Sequence, residues 1–169
     1  MLKKILPGLA AMLIALLLAV AINTLRQGSR QIDVPPVQPL AAVRLRTISF
    51  DGQSAASAAE FRKLHALLKK SFPRAHAVLK RETVNELSLL YTWPGSDPAA
   101  KPIMLMAHQD VVPIAHGTER DWLADPFGGV IRDGFVWGRG AWDDKANLFA
   151  IFEAVETLAA SGFKPRQTI

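Results

Sequence analysis

The chain has no cysteine and only one tyrosine among its 169 residues. Without cysteine, neither a disulfide framework nor a thiolate metal site can form, so any bound ion must use nitrogen and oxygen ligands. Acid is missing from one end: Lys3, Lys4, Arg26 and Arg30 all precede the first carboxylate, Asp33. Removing those four charges from the formal +5 leaves +1 for the remainder. A nearly neutral body argues against a phosphate-tracking surface, and no nucleic-acid partner is expected. Also absent are His-x-His and His-Glu-x-x-His, the signatures that mononuclear amidohydrolase or zincin chemistry would want. No internal repeat or long low-complexity tract is present.

What the N-terminus does have is an uncharged run, Ile5 to Ile22, dominated by Leu, Ala, Ile, Val and Met. As a helix it would measure roughly 27 Å, just enough to cross a thin hydrocarbon core. Residues 1–27 are therefore read as a transmembrane anchor, with Lys3 and Lys4 favouring a cytoplasmic N-terminus and a body outside the cytoplasm. The alternative is a signal segment cleaved after the small-x-small Ala19-Val20-Ala21, giving a secreted or periplasmic product. The anchor is preferred because the run exceeds the roughly 7–15 residues of an ordinary signal core. Residues 28–40, with Pro35, Pro36 and Pro39, read as an extended spacer that admits neither helix nor central strand.

From residue 41 the pattern becomes that of a layered α/β domain. Ser57-Ala58-Ala59-Glu60 spells a capping box, followed by a helical stripe of Phe61, Leu64, Leu67, Leu68 and Phe72 that Pro73 should end. Ala77 to Leu79 and Leu87 to Trp93 are expected to be strands, Pro94 to Pro98 a loop, and Ile103 to Ala107 a buried strand. Asp133-Gly134 predicts a tight hairpin between Val130-Ile131 and Phe135 to Trp137. A last helix should run from near Asp144 to Ser161, burying Leu148, Ile151, Phe152, Val155, Leu158 and Ala159. His65 and His76 read as bystanders, and His116 as a solvated loop residue.

The chemistry-bearing residues sit at two places. His108 ends the apolar run Ile103 to Ala107, at the carboxyl edge where open α/β sheets build ligand sites. Asp110, two residues on, can hold the ring nitrogen that a metal does not use. Asp143 follows Gly138-Arg139-Gly140 and opens a helix whose N-terminal partial charge favours a carboxylate. It could bridge two cations held about 3.5–4 Å apart. Asp144 could simply cap that helix. Gly138 and Gly140 read as turn residues, and Trp137 and Trp142 as core or rim aromatics.

Taken in order, His-Gln-Asp-Val-Val-Pro at 108–113, Trp122 with Asp125-Pro126-Phe127, Asp133-Gly134 and Gly-Arg-Gly-Ala-Trp-Asp-Asp-Lys at 138–145 resemble one family. It is the dinuclear zinc peptidases and deacylases that include carboxypeptidase S, acetylornithine deacetylase and succinyl-diaminopimelate desuccinylase. Val-Val-Pro and Asp-Asp-Lys most resemble the carboxypeptidase S branch, which also holds secreted N-acyl-amino-acid hydrolases. The resemblance covers roughly residues 40 to 169.

It implies the N-terminal part of a three-layer α/β zinc-peptidase catalytic domain over 41–169, incomplete because the lid or dimerisation domain is lacking. By the same resemblance His108 and Asp143 are zinc ligands, Asp143 bridging, and Asp110 is the catalytic residue that orients His108. The implied cofactor is a pair of Zn2+ ions, with cobalt or manganese as substitutes. The implied partners are a peptide or N-acyl amino acid substrate, the lipid bilayer through the N-terminal helix, and a second copy in a homodimer. The family's Glu-Glu pair, holding the general base and a further ligand, does not occur before Ile169. The 169-residue chain is therefore expected to be inactive by itself, the parent protein being the enzyme. The alternative reading is a membrane-tethered, non-catalytic binding or regulatory module derived from such a hydrolase.

Overall fold

A computed structural model describes residues 14–23, 38–49 and 57–169. The chain divides into two units, Met1–Pro36 and Val37–Ile169. In the first, residues 14–23 form helix α1, on which Leu16, Leu17 and Leu18 are exposed. Residues 5–13 of the apolar run fall outside the described residues, and among the described residues no helix is long and apolar enough to cross a membrane.

The second unit begins with α2, Gln38–Arg44. This corrects the expected spacer over 28–40. Its last residues are helical, since Pro39 occupies the first turn, where a proline has no hydrogen bond to lose. Residues 28–37 of that spacer lie outside the described set. Helix α3, Ala58–Ser71, buries Phe61, Leu64, His65 and Leu68 at the expected spacing. The capping box does not form, because Ser57 makes no side-chain cap and the Glu60 carboxylate is engaged elsewhere. It accepts from the Arg46 amide at 3.2 Å and pairs with Lys63.

Pro73 does stop α3, but it also starts α4, Pro73–Val78, at a first-turn position. The strand expected at Ala77 to Leu79 is thus corrected: Ala77 and Val78 are helical, and β1 starts at Lys80. The distant Glu156 carboxylate accepts from the Arg74 and Ala75 amides at 3.1 and 2.7 Å and so satisfies the start of α4. Strand β1, Lys80–Val84, pairs antiparallel with β2, Ser88–Thr92. Asn85 and Glu86 turn between them with positive φ. A second hairpin, β3 (Val130–Arg132) with β4 (Phe135–Trp137), turns at Asp133 and Gly134, at φ 55 and 76°, as the sequence predicts. Helix α5 spans Lys145–Ala160.

The core gathers α2, α3, α4 and α5 around Phe72, which stacks on Phe152 at 5.2 Å and meets Phe149 edge-on at 5.6 Å. Tyr91 and His76 complete the ring cluster, His76 contacting the Phe72 carbonyl through Nδ1 and the Tyr91 hydroxyl through Nε2. His76, read from sequence as a bystander, therefore sits at a helix end and within an aromatic cluster. Each fully buried phenylalanine of this kind contributes about 1.5–3 kcal/mol.

The architecture is mixed α/β, but among the described residues the sheets are two separate two-stranded ones rather than the layered sheet expected. Ile103 to Ala107 is the largest departure. It is extended without a ladder, and Ile103, Met104, Leu105 and Met106 are 45, 76, 53 and 71% exposed. Its described bonds are few: the Ile103 amide donates to the Thr168 carbonyl at 2.9 Å, and the Met106 carbonyl accepts from Asn147 at 3.0 Å. A strand is buried by neighbours on its two sides, and the apolar pattern alone does not supply them.

Candidate metal centre

His108, Asp110 and Asp143 come together as the sequence predicts. Asp143 Oδ1 lies 2.8 Å from His108 Nε2, and Asp110 Oδ1 lies 3.0 Å from Nδ1. The Asp110 carbonyl also faces Nδ1, at 3.1 Å. The imidazole thus stands between two carboxylates, one on each ring nitrogen. It can donate to both only as imidazolium. Partial burial pulls its pKa down, but the hydrogen bonds to Asp143 and Asp110 outweigh that and raise it above the usual histidine value. Burial opposes ionisation of Asp110 as well. The Ser49 hydroxyl, the backbone and His108 outweigh it and hold that carboxyl below the usual range.

Each position has a local cause. The segment 47–49 runs beside 109–111: the Val111 amide donates to the Thr47 carbonyl at 2.9 Å, and the Ser49 amide to the Val111 carbonyl at 3.1 Å. The fully buried Thr47 adds a hydroxyl bond to the Gln109 carbonyl at 2.7 Å. Asp143 is presented by a turn that needs its glycines. Gly138 and Gly140 have φ of 152 and 79°, and a Cβ on them would overlap Val43 and Val111 respectively.

Asp144 occupies the N-cap position of α5 but makes no side-chain cap, which corrects the simple capping role. Its Oδ2 instead accepts from the His108 amide at 3.1 Å and from Asn147 Nδ2 at 3.2 Å. Since Asn147 also donates to the Met106 carbonyl, the helix tip grips the backbone on both sides of Ala107.

Lys145 sits next in the chain with 1% of its surface exposed, its Nζ donating to the Ala42 and Leu45 carbonyls at 2.8 and 2.7 Å. Burial drives its pKa down to about 8, against partial support from Glu60. This amine ties the end of α2 to the turn that carries Asp143. Sequence reasoning does not reach Asp144, Asn147, Lys145, Thr47 and Ser49 as positioning groups. Their partners lie 36 to 103 residues away, except within the Asp144–Asn147 contact, and no local pattern announces them.

The other expectations fall as follows. His65 is buried, with its Nε2 2.8 Å from Gln109 Oε1, so it is a paired core histidine. His116 lies in an exposed turn. Trp142 is 87% exposed and therefore no core aromatic. A cavity of about 440 Å³ opens beside His108 and Asp110, lined also by Ser49, Phe61, Asn85 and Leu89. Another of about 490 Å³, between Trp93 and Pro165, has no acid or histidine in its lining.

An imidazole nitrogen and a carboxylate oxygen are atom types that suit the borderline ligand preference of zinc; at 2.8 Å they stand at hydrogen-bond distance, and bonds of about 2.0–2.2 Å at a tetrahedral angle would spread them to roughly 3.3 Å. The donor set is partial. Among the described residues no group of three or more His, Asp or Glu side chains converges on one point.

Comparison with known proteins gives the context of this half-site. Carboxypeptidase S of Saccharomyces cerevisiae is 54% identical over 111 residues, 64% of this chain and 19% of that protein. Probable carboxypeptidase S-like 2 of Dictyostelium discoideum is 38% identical over 178 residues, 94% of this chain and 34% of that protein. The N-fatty-acyl-amino acid synthase/hydrolase PM20D1 of Mus musculus is 36% identical over 129 residues, 75% of this chain and 25% of that protein. The chain thus spans about a fifth to a third of the length of these relatives. Human carnosine dipeptidase 1 shares the fold with a TM-score of 0.57 at 24% identity, over 78% of this chain and 29% of that one. The M20 family metallo-carboxypeptidase Sso-CP2 of Sulfolobus solfataricus does so with a TM-score of 0.54 at 21% identity, over 73% and 26%. Residues 104–169 match Peptidase family M20/M25/M40. That stretch is the part of the chain assigned to the family, and it contains the whole of the His108–Asp110–Asp143 constellation.

Proposed function

We propose that the protein carrying this chain is a divalent-metal hydrolase of the amide bond, acting on peptides or N-acyl amino acids, with zinc as the ion. The observation that carries this reading is the approach of Asp143 Oδ1 to His108 Nε2 while Asp110 occupies Nδ1. Two carboxylates and one imidazole could form a plain surface ion-pair cluster. The Asp110 contact, however, fixes the Nδ1 proton and leaves Nε2 as the ligating atom, the arrangement typical of a metal-bound histidine.

His108 would hold the ion through Nε2, and Asp143 through its carboxylate. The Asp143 side chain is 82% exposed and has room to meet a second cation. When bound, such ions polarise an amide carbonyl and lower the pKa of water towards neutrality. Asp110 keeps the imidazole in one tautomer, and Asp144 holds the backbone of His108 against the helix tip. The remaining ligands and the general base are assigned to parts of the protein beyond these residues. The similarity to carboxypeptidase S and to the N-fatty-acyl-amino acid synthase/hydrolase PM20D1 supports peptide or N-acyl amino acid substrates.

The apolar run at Ile5 to Ile22 supports a membrane anchor with the catalytic part outside the cytoplasm, and a homodimer is part of the same reading. The test is zinc titration of the protein by competition with a chromogenic chelator, paired with hydrolysis of an N-acyl amino acid and a dipeptide. Tight zinc binding that is lost in His108→Ala, with hydrolysis of either substrate, is expected. Hydrolysis that survives both exhaustive chelation and His108→Ala overturns the reading.

A further inference from the structure

The Asp110 carboxylate is divided between two partners. Oδ1 faces His108 Nδ1 at 3.0 Å, and Oδ2 accepts a short hydrogen bond from the Ser49 hydroxyl. Ser49 is itself fixed by its amide, which donates to the Val111 carbonyl, within the segment that also engages the Val111 amide and the Gln109 carbonyl through Thr47. Three consecutive residues, 109, 110 and 111, are therefore gripped by 47–49. Ser49 is the one that reaches a side chain.

A carboxylate tethered at one oxygen can still rotate about its Cβ–Cγ bond and present either oxygen, or neither, to the ring. Tethering the second oxygen removes that freedom. We propose that Ser49 is a positioning residue for metal binding. By holding Asp110 Oδ2 it keeps Oδ1 on Nδ1, biases the ring proton towards that nitrogen against the competing pull of Asp143 on Nε2, and so leaves Nε2 ready to bind an ion. The inference rests on the reading of His108 as a metal ligand and adds a residue some sixty positions upstream to that site.

The bland alternative is that Ser49 merely satisfies a half-buried carboxylate and helps pack 47–49 against 109–111. The two differ in what the imidazole feels. Loss of partners behind a metal-binding histidine costs roughly 10–100-fold in metal affinity, and Ser49, one bond further back, belongs near the low end.

The experiment uses the full protein that carries this chain, with Ser49→Ala and Ser49→Thr compared with the parent. The 15N shifts of the His108 ring are recorded in metal-free, alkaline solution, where the ring is neutral, and zinc affinity is measured by chelator competition. Circular dichroism monitors the fold. Ser49→Ala is expected to shift the His108 tautomer balance from Nδ1–H towards Nε2–H and to weaken zinc about tenfold, whereas Ser49→Thr keeps both near the parent. An unchanged tautomer and less than about twofold loss of zinc affinity in Ser49→Ala overturn the proposal. So does equal loss of zinc in both variants in step with lost helical signal, since that is a packing role. If the unsubstituted protein binds no zinc, the metal reading has failed, and the tautomer comparison still decides what Ser49 does to His108.

Discussion

Around Phe72 the chain is packed almost to the exclusion of solvent, with Leu64, Leu68 and Ala75 at 0% exposure and Phe149 and Phe152 at 4 and 6%. Around His108 it is open: the imidazole is 50% exposed, Asp143 82%, and Met104 to Met106 at least half. The first region is held by apolar burial and ring contacts. The second is held by hydrogen bonds reaching in from Thr47, Ser49, Asp144 and Asn147. Shape in the core tolerates volume-conserving exchange, whereas position at the site depends on individual donors and acceptors. Helix α5 belongs to both, its Phe149 and Phe152 face in the core and its Asp144–Asn147 end at the site.

If the two regions rest on different forces, substitutions should separate stability from ion binding. The largest effect is expected from His108→Ala: zinc affinity should fall by more than about 100-fold, beyond what loss of an outer partner costs, with the thermal midpoint nearly unmoved. Chelator competition and a melting curve on the same sample would show it. Phe152→Ala should do the reverse, costing about 3–5 kcal/mol in chemical denaturation through the cavity left among Phe72, Tyr91 and His76.

Lys145→Met tests the joint between them. The buried Ala42 carbonyl and the part-buried Leu45 carbonyl lose their donor, so a destabilisation of about 2–3 kcal/mol is expected, together with weaker zinc binding as the Asp143 turn loosens. The parent should show a pH signature of the same lysine. Its pKa is lower folded, about 8, than unfolded, 10.5, so the unfolded state binds more protons between those values. Stability from this group therefore rises with pH from about 8 to 10.5, and the rise should vanish in Lys145→Met when denaturant midpoints are compared across that window. The smallest change is expected for Asn147→Ala, about 1 kcal/mol, because its two bonds are exposed.

The parts legible in the sequence were those specified locally. Helix α5 shows in its apolar stripe, although Phe149 is buried where Leu158 was expected, the latter being 38% exposed. The β3–β4 hairpin shows because Asp133-Gly134 supplies the two positive φ angles its turn requires. The pairing of His108 with Asp143 was legible from two motifs together, although neither alone would have placed them in contact. Helix α4 was hidden by Pro73, which stops one helix and starts another, and the two roles read identically in sequence. The capping box failed because Glu60 had better partners in Lys63 and Arg46, and Arg46 lies outside the local pattern. Ile103 to Ala107 has the composition of a buried strand, but burial depends on neighbours that the segment does not itself encode.

Trp142 stands one residue before Asp143 with most of its indole in water. Nature has thereby set a fluorophore directly against the carboxylate expected to receive the ion. Arrival of a cation, or straightening of the loop as Asp143 turns from His108, would alter the local field and quenching around that ring. The emission of the untagged protein less that of a Trp142→Phe variant, which keeps Trp93, Trp122 and Trp137, isolates this ring and can report occupancy in real time.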